Sequence, residues 1–174
     1  LTTVIPQMQR KRFFDTYAVG WVVLGGEYEV ITDGRVSATY TRRWLNEIIE
    51  DMSNDEGNTY FIGNPGYGIA TDFDKAVRDY DAVSVLMHKQ WSEGWLGQAS
   101  YTWSWLRGNY AGLFRPETGQ LDPNINSDFD LKSLTQNRDG ALPFDKTHQF
   151  KVFAAREFET AYDTKFTLGG GGQA

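Results

Sequence analysis

One stretch near the middle of the chain alternates strictly between two kinds of residue. Residues 95–109 read WLGQASYTWSWLRGN. Every second residue from Trp95 to Trp105 is large and apolar or very small, and the residues between them, from Gln98 to Ser104, are mainly polar. Alternation with a period of two places the two sets on opposite faces of a β-strand. This segment therefore needs apolar surroundings on one face and water or polar groups on the other.

The same alternation recurs along the rest of the chain. Besides the strand that begins at Trp95, strands are predicted over residues 16–31, 35–49, 79–91, 147–158 and 164–168. The pair Asp33-Gly34 predicts a tight hairpin turn after the first strand, and Gly25-Gly26 predicts a bulge or bend within it. The four glycines at 169–172 predict a strand end or a linker.

The composition agrees with an all-β chain. Aromatic residues make up 15% of the 174 residues, with 6 Trp, 9 Tyr and 11 Phe, and they are accompanied by 18 Gly. Aromatic residues favour strands and glycine favours turns. No apolar run approaches the roughly 18 residues that a membrane-spanning helix requires.

Charge and cysteine content exclude several functions. The net charge of −6 disfavours a nucleic-acid-binding protein, which would present a basic face. The basic cluster Arg10-Lys11-Arg12 is too short to change this conclusion. The absence of cysteine excludes disulfide bonds, cysteine-ligated zinc and cysteine nucleophiles. The acidic clusters at 47–56 and 72–81 could contact cations or lipopolysaccharide-bound metal, but solvated loop charges are the favoured interpretation.

The connections between the predicted strands alternate between short and long. Two long loops are predicted, at about 50–78 and 107–146, whereas the other connections are short turns. Outer-membrane β-barrels show this pattern, with short turns on the periplasmic side and long loops outside. A soluble β-sandwich accounts for the alternation equally well but not for the loops. The sequence therefore favours an antiparallel meander of about six strands from a transmembrane outer-membrane β-barrel, with long extracellular loops.

The spacing of the tryptophans fits a membrane. Trp95 and Trp105 are ten residues apart, or roughly 33 Å along a strand, and a tilt near 40° reduces the height to about 25 Å. An apolar band of this height, edged by aromatic rings, is typical of outer-membrane barrels. Five tryptophans are predicted at the lipid interface: Trp44, Trp91, Trp95, Trp103 and Trp105.

Several loop segments resemble one family. The segments RDYDAV, SYTWSWLRGNYAGLFRPETGQLDPNINSDFD and NRDGALPFDKTHQFKV are similar to the C-terminal barrel region of TonB-dependent outer-membrane receptors. The segment RRWLNEIIEDMSNDEGNTYFIGNPGYGIATDF resembles the strand and loop that precede them there. The branch indicated is that of the Oar-like receptors, and the resemblance extends from about Tyr28 to Phe153.

The resemblance implies a large, plugged barrel in the bacterial outer membrane that moves a specific substrate, not an enzyme. Its partners would be outer-membrane lipid, an unidentified substrate and the TonB energy-coupling complex, which other portions of the receptor contact. No plug domain is recognisable, and about six strands cannot close a plugged barrel, so residues 1–174 are expected to be a segment of one barrel domain. The alternative is a soluble β-sandwich binding module, calcium-dependent and carbohydrate-directed.

One loop segment has the spacing of a calcium ligand set. Asp122, Asn124, Asn126 and Asp128 place oxygen ligands at every second position, as calcium-binding loops do. However, Ser127 stands where an EF-hand has glycine, and Ser133 stands where it has the closing glutamate. The residues therefore allow a calcium site, but a loop rich in Asx turns is the favoured interpretation.

Other candidate residues lie in loops and at strand ends. Five loop aromatics could contact a ligand or pack loop against loop: Tyr60, Phe61, Tyr67, Tyr110 and Phe114. Asp145 and His148 lie three residues apart but lack the third partner that a catalytic pair requires. His88 has no ligand-like partner in sequence and is interpreted as a lumen or interface residue.

Overall fold

The chain folds into one long antiparallel sheet with structured loops at one end. The structure, a computed structural model, describes residues 18–113 and 127–174. Its nine strands are β1 (Ala18–Ile31), β2 (Gly34–Glu47), β3 (Glu50–Met52), β4 (Phe61–Gly63), β5 (Arg78–Ser92), β6 (Trp95–Gly108), β7 (Gly140–Ala141), β8 (His148–Glu159) and β9 (Lys165–Gln173). The main sheet has the order β1-β2-β5-β6-β8-β9, with β7 paired to β6. The predicted antiparallel meander of six long strands is therefore confirmed.

Tight turns join the strands at one end of the sheet, here called the turn end. At the β1–β2 turn, Asp33 has φ 58°, and Gly34 already belongs to β2 and pairs with Ile31. The turn therefore lies one residue earlier than the predicted Asp33-Gly34 pair. At the β5–β6 turn, Glu93 (φ 53°) and Gly94 (φ 74°) both have positive φ. Two such residues match the right-handed twist of the flanking strands, as in other two-residue hairpins.

The register separates two faces of the sheet. The aromatic face carries the odd-numbered residues of β5 and β6 and the even-numbered residues of β1, β2, β8 and β9. Across its middle, Tyr40 pairs with Val83 and Val85 pairs with Tyr101, which in turn pairs with Phe150. The polar face is the opposite one and carries most of the hydroxyl, amide and charged side chains of β2 and β6.

The structure corrects two predictions about glycine. The β1–β2 register passes through Gly25 and Gly26 without interruption, and its shifts lie elsewhere, near Val19 and between Glu29 and Ile31. Without a phase change, Trp21 lies on the polar face, opposite Arg43. Of the two interpretations of the glycines at 169–172, the linker is wrong, because all four lie in the last part of β9 and pair with β8.

The long connections fold into a compact unit, here called the loop cap, which comprises residues 48–77, 109–113 and 127–147. It contains the β3–β4 hairpin and two short 3₁₀ turns, at Gly68–Ala70 and Lys132–Leu134. It has its own apolar core, which consists of Ile48, Met52, Ala70, Phe73, Ala76, Tyr110 and Phe129. The two predicted long loops therefore have structure of their own in the described part of the chain.

Backbone contacts join the two long loops to each other and to the sheet. The N–H of Ser53 donates to the carbonyl of Asp130 at 2.7 Å, and Ser53 forms a parallel bridge with Leu131. In the second loop, β7 pairs with the end of β6. The loop cap is thus held at the end of the sheet opposite the tight turns, here called the loop end.

The soluble β-sandwich is not observed in the described residues. A sandwich would cover the apolar face with a second sheet, yet Met87, Phe150 and Trp103 on the aromatic face remain 52%, 45% and 46% exposed. The other sheet described is the small β3–β4 hairpin of the loop cap. Among residues 18–113 and 127–174 there is no helix of a length and apolarity that would let it cross a membrane.

Candidate functional site

A cleft lies where the polar face of the sheet meets the loop cap. Its volume is about 750 Å³. This is within the range of clefts that hold small molecules. The residues that line it are Val19, Thr41, Arg43, Trp44, Leu45, Arg78, Tyr80, Ala82, Ser84, Leu106, Tyr110, Ala111, Gly112, Leu113 and Phe144.

The floor of the cleft consists of polar-face residues that the strand register brings together. Arg43 of β2 pairs with Tyr80 of β5, and Thr41 pairs with Ala82. One step further from the loop cap, the hydroxyl groups of Ser84 and Thr102 are 2.9 Å apart and share a hydrogen bond. The floor is therefore fixed by the ladder hydrogen bonds of three central strands, which make it a rigid surface.

The loop that follows β6 forms a wall. Gly108 ends the strand with φ 142°, and a Cβ added there would lie 1.9 Å from the carbonyl oxygen of Val77. Only glycine fits this close approach of two backbones. The next residue, Asn109, accepts from the N–H of Val77 at 2.7 Å and donates to the carbonyl of Lys75 at 2.8 Å. Arg78 donates to the carbonyl of Ala111, which fixes the wall against β5.

The returning part of the second loop runs along the end of β6. The N–H of Leu142 donates to the carbonyl of Leu106 at 3.0 Å, and the N–H of Leu106 donates to Asp145 Oδ1 at 2.8 Å. The hydroxyl of Ser104 donates to the carbonyl of Lys146 at 2.8 Å. These bonds place Phe144 in the lining of the cleft. The site is thus assembled from segments that are far apart in sequence.

The charge of the cleft is one-sided. Among the described residues that line it, Arg43 and Arg78 are cationic and none is a carboxylate. The remaining lining is mostly apolar, with the phenol rings of Tyr80 and Tyr110. A site of this kind is suited to a ligand with an apolar or aromatic body and a negatively charged group.

The predicted loop aromatics have different environments. Tyr110 lines the cleft but is only 2% exposed, and its ring packs on Phe129 at 6.1 Å between centroids. Phe61 packs edge-on against Phe73 at 6.2 Å. Tyr60 and Tyr67 are exposed on the surface of the loop cap. Phe114, the fifth residue of this set, lies outside the described residues.

The predicted calcium ligands are described only in part. Asp122, Asn124 and Asn126 lie outside the described residues. Asp128 is buried, and its carboxylate pairs with Arg138 at 2.5 Å. Within the described ranges, no group of three or more acidic or histidine residues has the geometry to hold a metal ion. Calcium binding by this segment stays a prediction.

The acidic and histidine residues near β8 have separate partners. Asp145 accepts from the backbone of Leu106, whereas His148 Nδ1 is 2.8 Å from the hydroxyl of Tyr101 on the aromatic face. The two side chains therefore have different hydrogen-bond partners. His88 is exposed on the polar face.

The predicted interface tryptophans lie at both ends of the sheet. At the loop end, the rings of Trp103 and Trp105 are 5.1 Å apart, and Trp44 pairs with Asp79 nearby. At the turn end, Trp91 and Trp95 flank the β5–β6 turn and are 44% and 37% exposed. Their contact with lipid stays a prediction.

Two kinds of site residue are absent from the sequence prediction. The arginines of the cleft, Arg43 and Arg78, are ordinary strand residues whose convergence depends on strand pairing. Glu50 falls in the acidic cluster at 47–56, which is interpreted above as solvated. That interpretation is wrong for this residue, which is only 9% exposed, and for Asp81 of the second cluster, which is 7% exposed. The apolar residues Ile48 and Met52, two positions before and after Glu50, are a local signal that could have indicated its burial.

The fold and the cleft together define a class of protein. The sheet is an antiparallel meander with one apolar and one polar face. It has tight turns at one end and long loops at the other, as a segment of a large β-barrel does. Among the described residues the sheet is open, with β1 and β9 at its edges.

The chain is 57% identical over 148 residues to the TonB-dependent transporter Oar of Myxococcus xanthus. The match covers 85% of this chain and 14% of that relative. The chain therefore belongs to the family of Oar-like TonB-dependent transporters and spans about a seventh of the length of this relative. No family model matches the chain, and no solved structure matches it.

Proposed function

We propose that these residues form part of the wall and the outer gate of a TonB-dependent transporter in the bacterial outer membrane. The aromatic face contacts lipid, the polar face lines the lumen, and the loop cap lies outside the cell. The cleft beneath the loop cap receives the transported substrate. The role of this segment is to bind and admit a ligand, and the energy comes from TonB through other parts of the protein.

The observation that carries this proposal is the difference between the two faces. Large apolar side chains stay exposed across the middle of the aromatic face, as Val85, Met87 and Phe150 show. The opposite face carries hydrogen-bonded hydroxyls and ends in the cleft, where Ser84 is one of the lining residues. A sheet with these properties is stable when hydrocarbon covers one face and water reaches the other.

Site-directed spin labelling of the full-length transporter in lipid bilayers tests this arrangement. This chain contributes no cysteine, and any cysteine elsewhere in the transporter is first replaced by serine. Tyr101→Cys and Ser100→Cys, made separately, then place a label at adjacent positions on opposite faces. The label at Tyr101 should be reached by oxygen, which partitions into lipid, and the label at Ser100 by a water-soluble nickel chelate. The proposal is wrong if the label at Tyr101 is reached by the nickel chelate or by neither reagent.

A further inference from the structure

Glu50 is a buried carboxyl group at the junction of the two long loops. It begins β3, and its side chain points inward with that of Met52, toward the apolar core of the loop cap. The residue is only 9% exposed, and its Oε1 atom has no hydrogen-bond partner among the described residues. A buried oxygen without a partner costs free energy, and the cost is larger when the group is charged.

We propose that Glu50 is a proton-operated latch that controls how the two long loops dock over the cleft. The protonated carboxyl is neutral and is tolerated at the junction, so the loop cap closes. Ionisation places a charge in the apolar core and loosens the contact between the two loops. This inference rests on the proposed function only in assigning the cleft to the substrate, because the latch itself is a property of the loops.

The groups that face Glu50 oppose its ionisation. Asp51 follows it on β3, and Asp128 and Asp130 face it from the second loop. Repulsion from these carboxylates adds to the cost of burial. Of these carboxylates, Asp128 is paired with Arg138.

Tyr110 is the neutral group that faces Glu50, and its position couples the latch to the cleft. A hydrogen bond from Tyr110 partly stabilises the carboxylate. The same tyrosine lines the cleft and follows the loop wall at Asn109. A change in the charge of Glu50 therefore alters the hydrogen bond of a residue that lines the cleft.

The ionisation falls in the physiological range of pH. Burial, with repulsion from neighbouring carboxylates, raises the pKa of Glu50 from 4.5 to about 7, against the hydrogen bond from Tyr110. Because the docked state holds this proton more tightly, docking is strongest at low pH and weakens as pH rises from about 4.5 to about 7. In the same loop, donors from Thr59 and Ser53 lower the pKa of Asp55 to about 2, so that group stays ionised throughout.

Hydrogen–deuterium exchange of the full-length transporter, in detergent with a chelator present, tests the latch. The reporter is the peptide that contains Ser53, whose N–H crosses from the first loop to Asp130. After correction for the intrinsic effect of pH, raising the pH from 5.5 to 8.5 should reduce its protection roughly 30-fold. Peptides from the middle of β5 and β6 should keep their protection and serve as an internal reference.

Two variants make the test specific. Glu50→Gln removes the titratable group at nearly constant shape and should leave the protection of the Ser53 peptide independent of pH. Asp51→Asn is the matched control, because it removes an exposed charge from the neighbouring position, and it should retain most of the pH dependence. The latch is excluded if the wild-type protection does not change with pH, or if Glu50→Gln still shows the full decrease. Neither result depends on a substrate, so the transport proposal would stand if the latch failed.

Discussion

The sheet and the loop cap differ in the exposure of their apolar side chains. On the aromatic face of the sheet, Met87 and Phe150 are about half exposed, although both lie in regular strands. In the loop cap, Ile48 and Met52 are completely buried, although they belong to connections between the long strands. The usual expectation is that strands supply the core and that loops lie on the surface. The described residues of the loop cap therefore bury their own apolar side chains, whereas those of the aromatic face leave theirs exposed, as the proposed contact with lipid requires.

The largest effect is expected from a cavity in the core of the loop cap. Phe129 is 1% exposed and packs on Tyr110. Phe129→Ala should destabilise the loop cap by about 3–5 kcal/mol because the space left behind cannot be refilled. The measurement is hydrogen exchange of residues 48–77 in the full-length protein, in which the protection of the loop cap should fall while that of β5 and β6 is kept.

Phe150→Ala on the aromatic face is the matched control for this cavity. The same atoms are deleted, but lipid would fill the space, so the cost should be much smaller. If Phe150→Ala destabilised the protein as much as Phe129→Ala, the aromatic face would be a packed protein interface and the comparison would fail.

A charge placed on each face of the sheet gives the next largest effect. Val85 and Leu86 are neighbours at the middle of β5 and lie on the aromatic and polar faces, respectively. Val85→Arg should cost about 2–4 kcal/mol in a bilayer, as expected for a cation at the midplane, whereas Leu86→Arg should cost much less. Equilibrium unfolding in lipid vesicles measures both. Equal costs would mean that both faces have the same surroundings, contrary to the proposed lipid and lumen faces.

The sheet could be predicted from the sequence because its pattern is local. Alternation such as that from Trp95 to Trp105 specifies a strand and its two faces without knowledge of the rest of the fold. The core of the loop cap has no such pattern. Ile48, Tyr110 and Phe129 come from three separate segments, and their contact depends on how the loops fold back on each other.

The candidate site shows the same limit. The position of Arg43 on the polar face of its strand follows from alternation, but its place beside Tyr80 follows from strand register, which the sequence does not give. The sequence favours a solvated position for Glu50, because its neighbours Asp51 and Asp55 belong to the same acidic cluster. The position of the first turn is predicted more accurately. The predicted Asp33-Gly34 pair differs from the observed turn by one residue only.

The smallest effect is expected on the polar face, where it reports whether water reaches the side chains. The hydrogen bond between Ser84 and Thr102 crosses from β5 to β6 at the edge of the cleft. If water reaches this face, Ser84→Ala should cost only about 0.5–1.5 kcal/mol, because water can satisfy the hydroxyl group that remains. A double-mutant cycle with Thr102→Val, followed by equilibrium unfolding, isolates the contribution of the pair. A coupling well above this range would indicate a dry, packed face, and the polar face would then not line an open lumen.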